Sequence, residues 1–194
     1  MKPSNKILFA LPLLLNLVGR ILKQLDVDFG LQIIMSSSLA LVLLIVYLII
    51  QNGKKYILYS IPIFLEIFSL TGSLFRILHW PGSGPMIMIG VIGHIVASFL
   101  LIKNYLSPDS KPNYLYRLLL GIALLIQLLF VINLSTESIW YAKLINYPIV
   151  AISGTIILNN STKNIGERNM ILVILAQGLL FIIRHSFELI KYMP

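Results

Sequence analysis

An all-α bundle of about seven membrane-crossing helices is the fold this sequence predicts, and three observations predict it. Of its 194 residues, 58% are hydrophobic and only 11% are charged, whereas charged residues alone make up about a quarter of a soluble domain. The mean hydropathy is +0.90. Apolar runs of the roughly 20 residues needed to cross a bilayer core follow one another, and the connectors between them are too short to fold as separate domains. The chain therefore reads as a single transmembrane domain, 1–194.

Seven segments qualify as spans: 7–25, 31–50, 56–79, 85–103, 114–134, 139–158 and 169–190. Asn16 and Arg20 weaken the first; Lys143, Asn146 and Pro148 weaken the sixth. The start, Met1 to Lys6 before an apolar run, resembles a signal peptide. Arg20 and Lys23 follow in place of a small-residue cleavage site, so the first helix is expected to be retained.

Three polar connectors punctuate the runs: Gln51-Asn52-Gly53-Lys54-Lys55, the stretch 107–113 with its two prolines, and 159–166. They divide the chain into hairpins 1–52, 53–104 and 105–162 and a lone seventh helix, 163–194. A weak internal repeat supports this division. Leu11-Pro12-Leu13-Leu14-Leu15-Asn16 matches Ile61-Pro62-Ile63-Phe64-Leu65-Glu66, and Gln127 and Gln177 lie at comparable depth in helices five and seven.

The net charge of +8 does not indicate nucleic acid, which needs clustered basic residues on one folded face. With seven spans, Lys2, Lys6, Lys54, Lys55, Lys103, Lys111, Arg117, Lys163 and Arg168 fall on one side. Arg20, Lys23, Arg76, Lys143, Arg184 and Lys191 fall on the other, offset by Asp26, Asp28, Glu137 and Glu188. The positive-inside bias then puts the N-terminus in the cytoplasm and the C-terminus outside. The absence of cysteine excludes disulfides, thiolate metal sites and cysteine nucleophiles.

Helix three carries the most chemistry. At about 100° per residue, Glu66, Ser69, Gly72, Ser73, Arg76 and His79 fall within an arc of roughly 140°. Helix four repeats the design with Gly90, Gly93, His94, Ala97 and Ser98 on one face. Small residues at this spacing suit a tight helix seam, because lipid supplies no hydrophobic drive and packing must hold helices together. Counted from the turn at Pro81-Gly82, Glu66 lies about 15 residues back and His94 about 12 forward, depths within one helical turn of each other. Two readings stand side by side: Glu66 and His94 pair across the hairpin, or Glu66 is protonated and bonded to serine or backbone. Arg76, His79 and Trp80 lie nearer the outer surface, where an Arg stem snorkels and Trp joins the interfacial belt. In helix seven, Gln177, Phe181, Arg184 and Glu188 share one face, with His185 at its margin.

The run Gly72-Ser73-Leu74-Phe75-Arg76-Ile77-Leu78-His79-Trp80-Pro81-Gly82, followed by Met86 to Gly90, resembles the transmembrane hairpin of the GldL family, inner-membrane components of the gliding-motility and type IX secretion motor of Bacteroidota. The likeness covers residues 70–103 and is specific at the turn. It implies a cytoplasmic start, an outside turn and a bacterial inner-membrane location. Arg76 stands where that family has Lys, which keeps the charge. His94 stands where it has a membrane Glu, which changes the chemistry. Five further spans accompany the hairpin here, so the resemblance does not extend to a motor function.

The expected function is that of a non-enzymatic integral membrane subunit of an envelope complex, packing through its small-residue faces around a buried Glu, His and Arg layer. Its expected partners are the lipid bilayer and either copies of itself or other envelope membrane proteins; no cofactor and no nucleic acid are expected. A second reading is a small proton-coupled transporter or channel lined by Glu66, His94 and Arg76. A third is a membrane enzyme or a redox protein with haem on His94 and His185, although no nucleophile and base spacing, metal cluster or phosphate loop is visible.

Overall fold

The computed structural model describes residues 3–105, 114–132, 140–159 and 164–190; side chains are described throughout these except at 3–7, 104–105, 127–132, 140–145, 147, 181–182 and 184–190. The described residues form seven α-helices and no strand. They are α1 (Pro3–Gln24), α2 (Phe29–Asn52), α3 (Ile57–Ile77, entered through a 3-10 turn at Lys54–Tyr56), α4 (Ser83–Tyr105), α5 (Tyr114–Ile132), α6 (Trp140–Asn159) and α7 (Ile165–Ile190). Among the described residues, three stretches are long and apolar enough to cross a membrane: Phe29–Asn52, Lys54–Ile77 and Ser83–Lys103.

Each helix packs against the next in sequence, and α7 also touches α1, α2 and α3. That position explains its sequence. Met170 to Ala176 are buried without a break, so two turns of α7 have every face covered, as expected of a helix that is apolar all round. The seventh helix is thus the hub of the bundle, and the three hairpins wrap it. It also begins four residues earlier than the sequence predicts. Asn164 Oδ1 accepts from the backbone N–H groups of Gly166 and Glu167 at 3.0 and 3.4 Å, an N-cap that satisfies two otherwise unpaired donors. Glu167 and Arg168 therefore lie in the first helical turn rather than before the helix.

The first helix runs unbroken through Asn16 and Arg20 because their polar groups find partners. Asn16 Nδ2 donates to Ser37 Oγ and Ser38 Oγ at 3.0 and 3.1 Å, and Arg20 Nε donates to Asn16 Oδ1 at 2.9 Å. In the third hairpin, Asn146 Nδ2 donates to the Ala123 carbonyl at 2.9 Å. Each hairpin is therefore joined internally by one buried polar residue, the second of them by the Glu66 contact described below.

Helices α1 and α3 end in the same way. The amide of Val27 bonds the Leu22 carbonyl at 3.0 Å, and the amide of Trp80 bonds the Phe75 carbonyl at 2.8 Å. In each turn the preceding residue, Asp26 or His79, is in the left-handed region at φ 54° or 55°. This is the Schellman ending, usually made by Gly. At the second turn its hydrophobic clasp is also present: the Phe75 and Trp80 rings meet edge to face at 5.2 Å. A histidine held at this φ costs about 1–2 kcal/mol relative to a residue without that strain. Gly82, at φ 89°, completes the reversal.

The α3–α4 seam is close because its small residues leave no room. A Cβ on Gly90 would stand 2.4 Å from Ser69 Cβ, one on Gly72 2.8 Å from Met86 Cβ, and one on Gly93 2.8 Å from Leu65 Cβ. Ala97, on the same face of α4, is buried. Gly84 has open space around it. Gly90→Val is expected to lower stability in detergent by about 1–3 kcal/mol through overpacking, while Gly84→Val leaves the melting temperature close to wild type; thermal unfolding of the two variants checks this.

Candidate functional site

Glu66 sits in the middle of α3 and is 1% exposed. It faces His94, one helix on and 28 residues later, with Oε1 2.8 Å from Nδ1. The contact forms because Gly90 and Gly93, on the same side of α4 as His94, bring the two backbones close enough for a carboxylate and an imidazole to meet. Oε2 of Glu66 has no hydrogen-bond partner among the described residues. The two side chains differ in access: that of Glu66 is 2% exposed and that of His94 15%.

A third helix meets the same point. Gln177 Nε2, on α7, donates to the Glu66 backbone carbonyl at 3.3 Å. On α4, Ser98 Oγ donates to the His94 carbonyl at 2.7 Å. Thus α3, α4 and α7 are tied together by one carboxylate, one imidazole and one carboxamide. Among the described residues no three His, Asp or Glu side chains gather as a metal site. The arrangement supplies an acid and a base in hydrogen-bond reach, enough to hold or pass a proton.

The other residues singled out in the sequence lie elsewhere. Arg76 is exposed, ten residues beyond Glu66, or about 15 Å along the helix, so it shares the face of Glu66 without sharing its layer. His79, Trp80, Pro81 and Gly82 are exposed at the turn. The side chains of Arg184, His185 and Glu188 fall outside the described residues, as does that of Gln127, so their expected faces have no structural counterpart here.

A second polar group, at the opposite end of the bundle from the His79 turn, escaped the sequence reading. Arg117, counted there as a connector charge, is buried on α5, with Nε 3.0 Å from Oε1 of Glu167 on α7. Asn169 Nδ2 donates to Asn52 Oδ1 at 2.8 Å, joining α7 to the end of α2. Arg168, also counted as a connector charge, has its Nε buried. The available signal was the Asn164 cap, which places Glu167 and Asn169 on a helix facing inward.

Compared with family models, with curated proteins and with solved structures, the chain has no match.

If Glu66 and His94 depend on each other, their substitutions are not additive. A double-mutant cycle with Glu66→Gln and His94→Gln is expected to give a coupling of about 1–3 kcal/mol in detergent unfolding; a coupling near zero would mean that each side chain is held by something else.

Proposed function

We propose that this protein is a multi-pass integral membrane subunit of the bacterial envelope, non-enzymatic, whose helices form a scaffold around an internal polar layer. The observation that carries this reading is an inverted distribution of polarity. Large apolar side chains such as Leu11, Leu39, Leu43, Phe64, Ile92 and Phe99 are exposed, while Asn16, Ser37, Glu66, Ser98, Asn146 and Asn169 are buried. Water would favour the reverse. A hydrocarbon solvent favours what is seen, because a polar group is satisfied only by another helix. Three stretches have the length and apolarity of spans; under this proposal the remaining helices cross as well, seven in all, with the N-terminus cytoplasmic and the His79–Gly82 turn outside.

The scaffold role follows from how the interior is spent. The Glu66 and His94 side chains face each other, and Gly72, Gly90 and Gly93 serve close backbone approach. The outward apolar faces of α1 and α2 are left to lipid and to neighbouring membrane proteins, a second copy included. The likeness of residues 70–103 to the GldL hairpin agrees with an inner-membrane location and is extended no further. After extraction in mild detergent, light scattering coupled to size exclusion is expected to give a particle heavier than one chain plus its detergent. A strictly monomeric particle without a co-purified protein would contradict the subunit reading.

A further inference from the structure

The scaffold reading gives no use to a feature of the interior that packing does not require: an acid and a base in contact, with one carboxylate oxygen left over. Helix α3, which carries Glu66, packs against α2, α4 and α7. From α4, Glu66 faces His94. From α7 it meets Gln177, which is neutral and engages the backbone. Helix α2 carries no Asp, Glu, Lys, Arg or His, and its single tyrosine, Tyr47, is exposed. On α3 itself, Tyr59 and Arg76 are seven residues before and ten residues after Glu66, about 10 and 15 Å away along the axis. Glu167 and Arg168 lie ten and nine residues before Gln177 on α7. His94 is thus the one titratable side chain shown in contact with the Glu66 carboxylate among the described residues.

With no proton between them the pair is an anion, and with two it is a cation; either would leave an uncompensated charge in an apolar interior, at a cost of several kcal/mol. With one proton it is neutral overall. We propose that Glu66 and His94 form an intramembrane binding site for a single exchangeable proton, which passes between Oε1 and Nδ1. In that transfer the O–H bond of the carboxylic acid breaks and an N–H bond of the imidazolium forms, with no other reactant. The His94 side chain, 15% exposed against 2% for Glu66, is the side of the pair from which this proton leaves. A metal cation is a poorer occupant of the same oxygen, because hard cations gather six or more oxygen ligands and the Glu66 carboxylate meets one imidazole among the described residues.

This inference rests on the membrane reading, and the experiment separates the two. The full chain is reconstituted in phospholipid nanodiscs, and incorporation, followed by size exclusion, reports on the membrane reading. Infrared spectra of the incorporated protein then report on the carboxyl group. Wild type is expected to show a protonated-carboxyl carbonyl band that Glu66→Gln abolishes and that shifts down in D2O. In His94→Gln, and in His94→Asn as a second variant against misfolding, the band is expected to grow, because the proton no longer divides its time with the imidazole. Bands of equal strength with and without His94 would overturn the proposal in favour of a static protonated carboxyl. Absence of the band from wild type and both His94 variants would overturn it in favour of a fixed carboxylate, and a wild-type band unmoved by D2O would show that no proton exchanges.

Discussion

A polar side chain inside an apolar bundle must be met by a group on a neighbouring helix, and this requirement governs how the chain is assembled. The interior offers few apolar alternatives for a donor such as Asn16 or an acceptor such as Glu66, and an unmet group would cost more than the packing around it returns. Among the described residues each hairpin carries such an internal crosslink: Asn16 with Ser37 and Ser38, Glu66 with His94, Asn146 with the Ala123 carbonyl. Each reaches only to the adjacent helix, so each crosslink lies within its own hairpin. Polar contacts from α7 help to join the hairpins, through Gln177 to Glu66, Asn169 to Asn52 and Glu167 to Arg117, beside the Asn52 to Ser60 hydrogen bond between α2 and α3.

The two classes of contact divide the work of the fold. Small residues set how close two helices come, and polar residues set where along their length they are registered. In the α3–α4 hairpin both operate at once. Gly90 lies against Ser69 and Gly93 against Leu65, which places His94 opposite Glu66 with no freedom to slide by a turn. The turn that closes this hairpin tolerates a strained His79 because the two Schellman hydrogen bonds and the Phe75–Trp80 contact hold it from both sides.

Much of this was legible in the sequence because helices bounded by polar punctuation announce themselves, and because two residues equidistant from a Pro-Gly turn must lie at similar depth. Those two facts bring Glu66 and His94 within reach of each other before any coordinates are known. They say nothing about contacts between residues far apart in the chain. Arg117 and Glu167 are 50 positions apart, Asn52 and Asn169 117, and no periodicity links them. Asn164 reads as loop until its side chain is seen capping α7, and with it Glu167 turns from a loop residue into a buried partner. The central place of α7 had a signal in the unbroken apolar run 170–176, but a helix equally apolar on all sides can face lipid as well as protein.

The account stands on polar groups being turned inward and apolar ones outward in a lipid medium. Labelling of the protein in bilayers with a lipid-soluble photoreactive diazirine, read residue by residue by mass spectrometry, addresses this most directly. Label is expected on the faces of Leu39, Leu43, Ile92 and Phe99 and not on Asn16, Glu66 or Asn146. Equal labelling of both sets would contradict it.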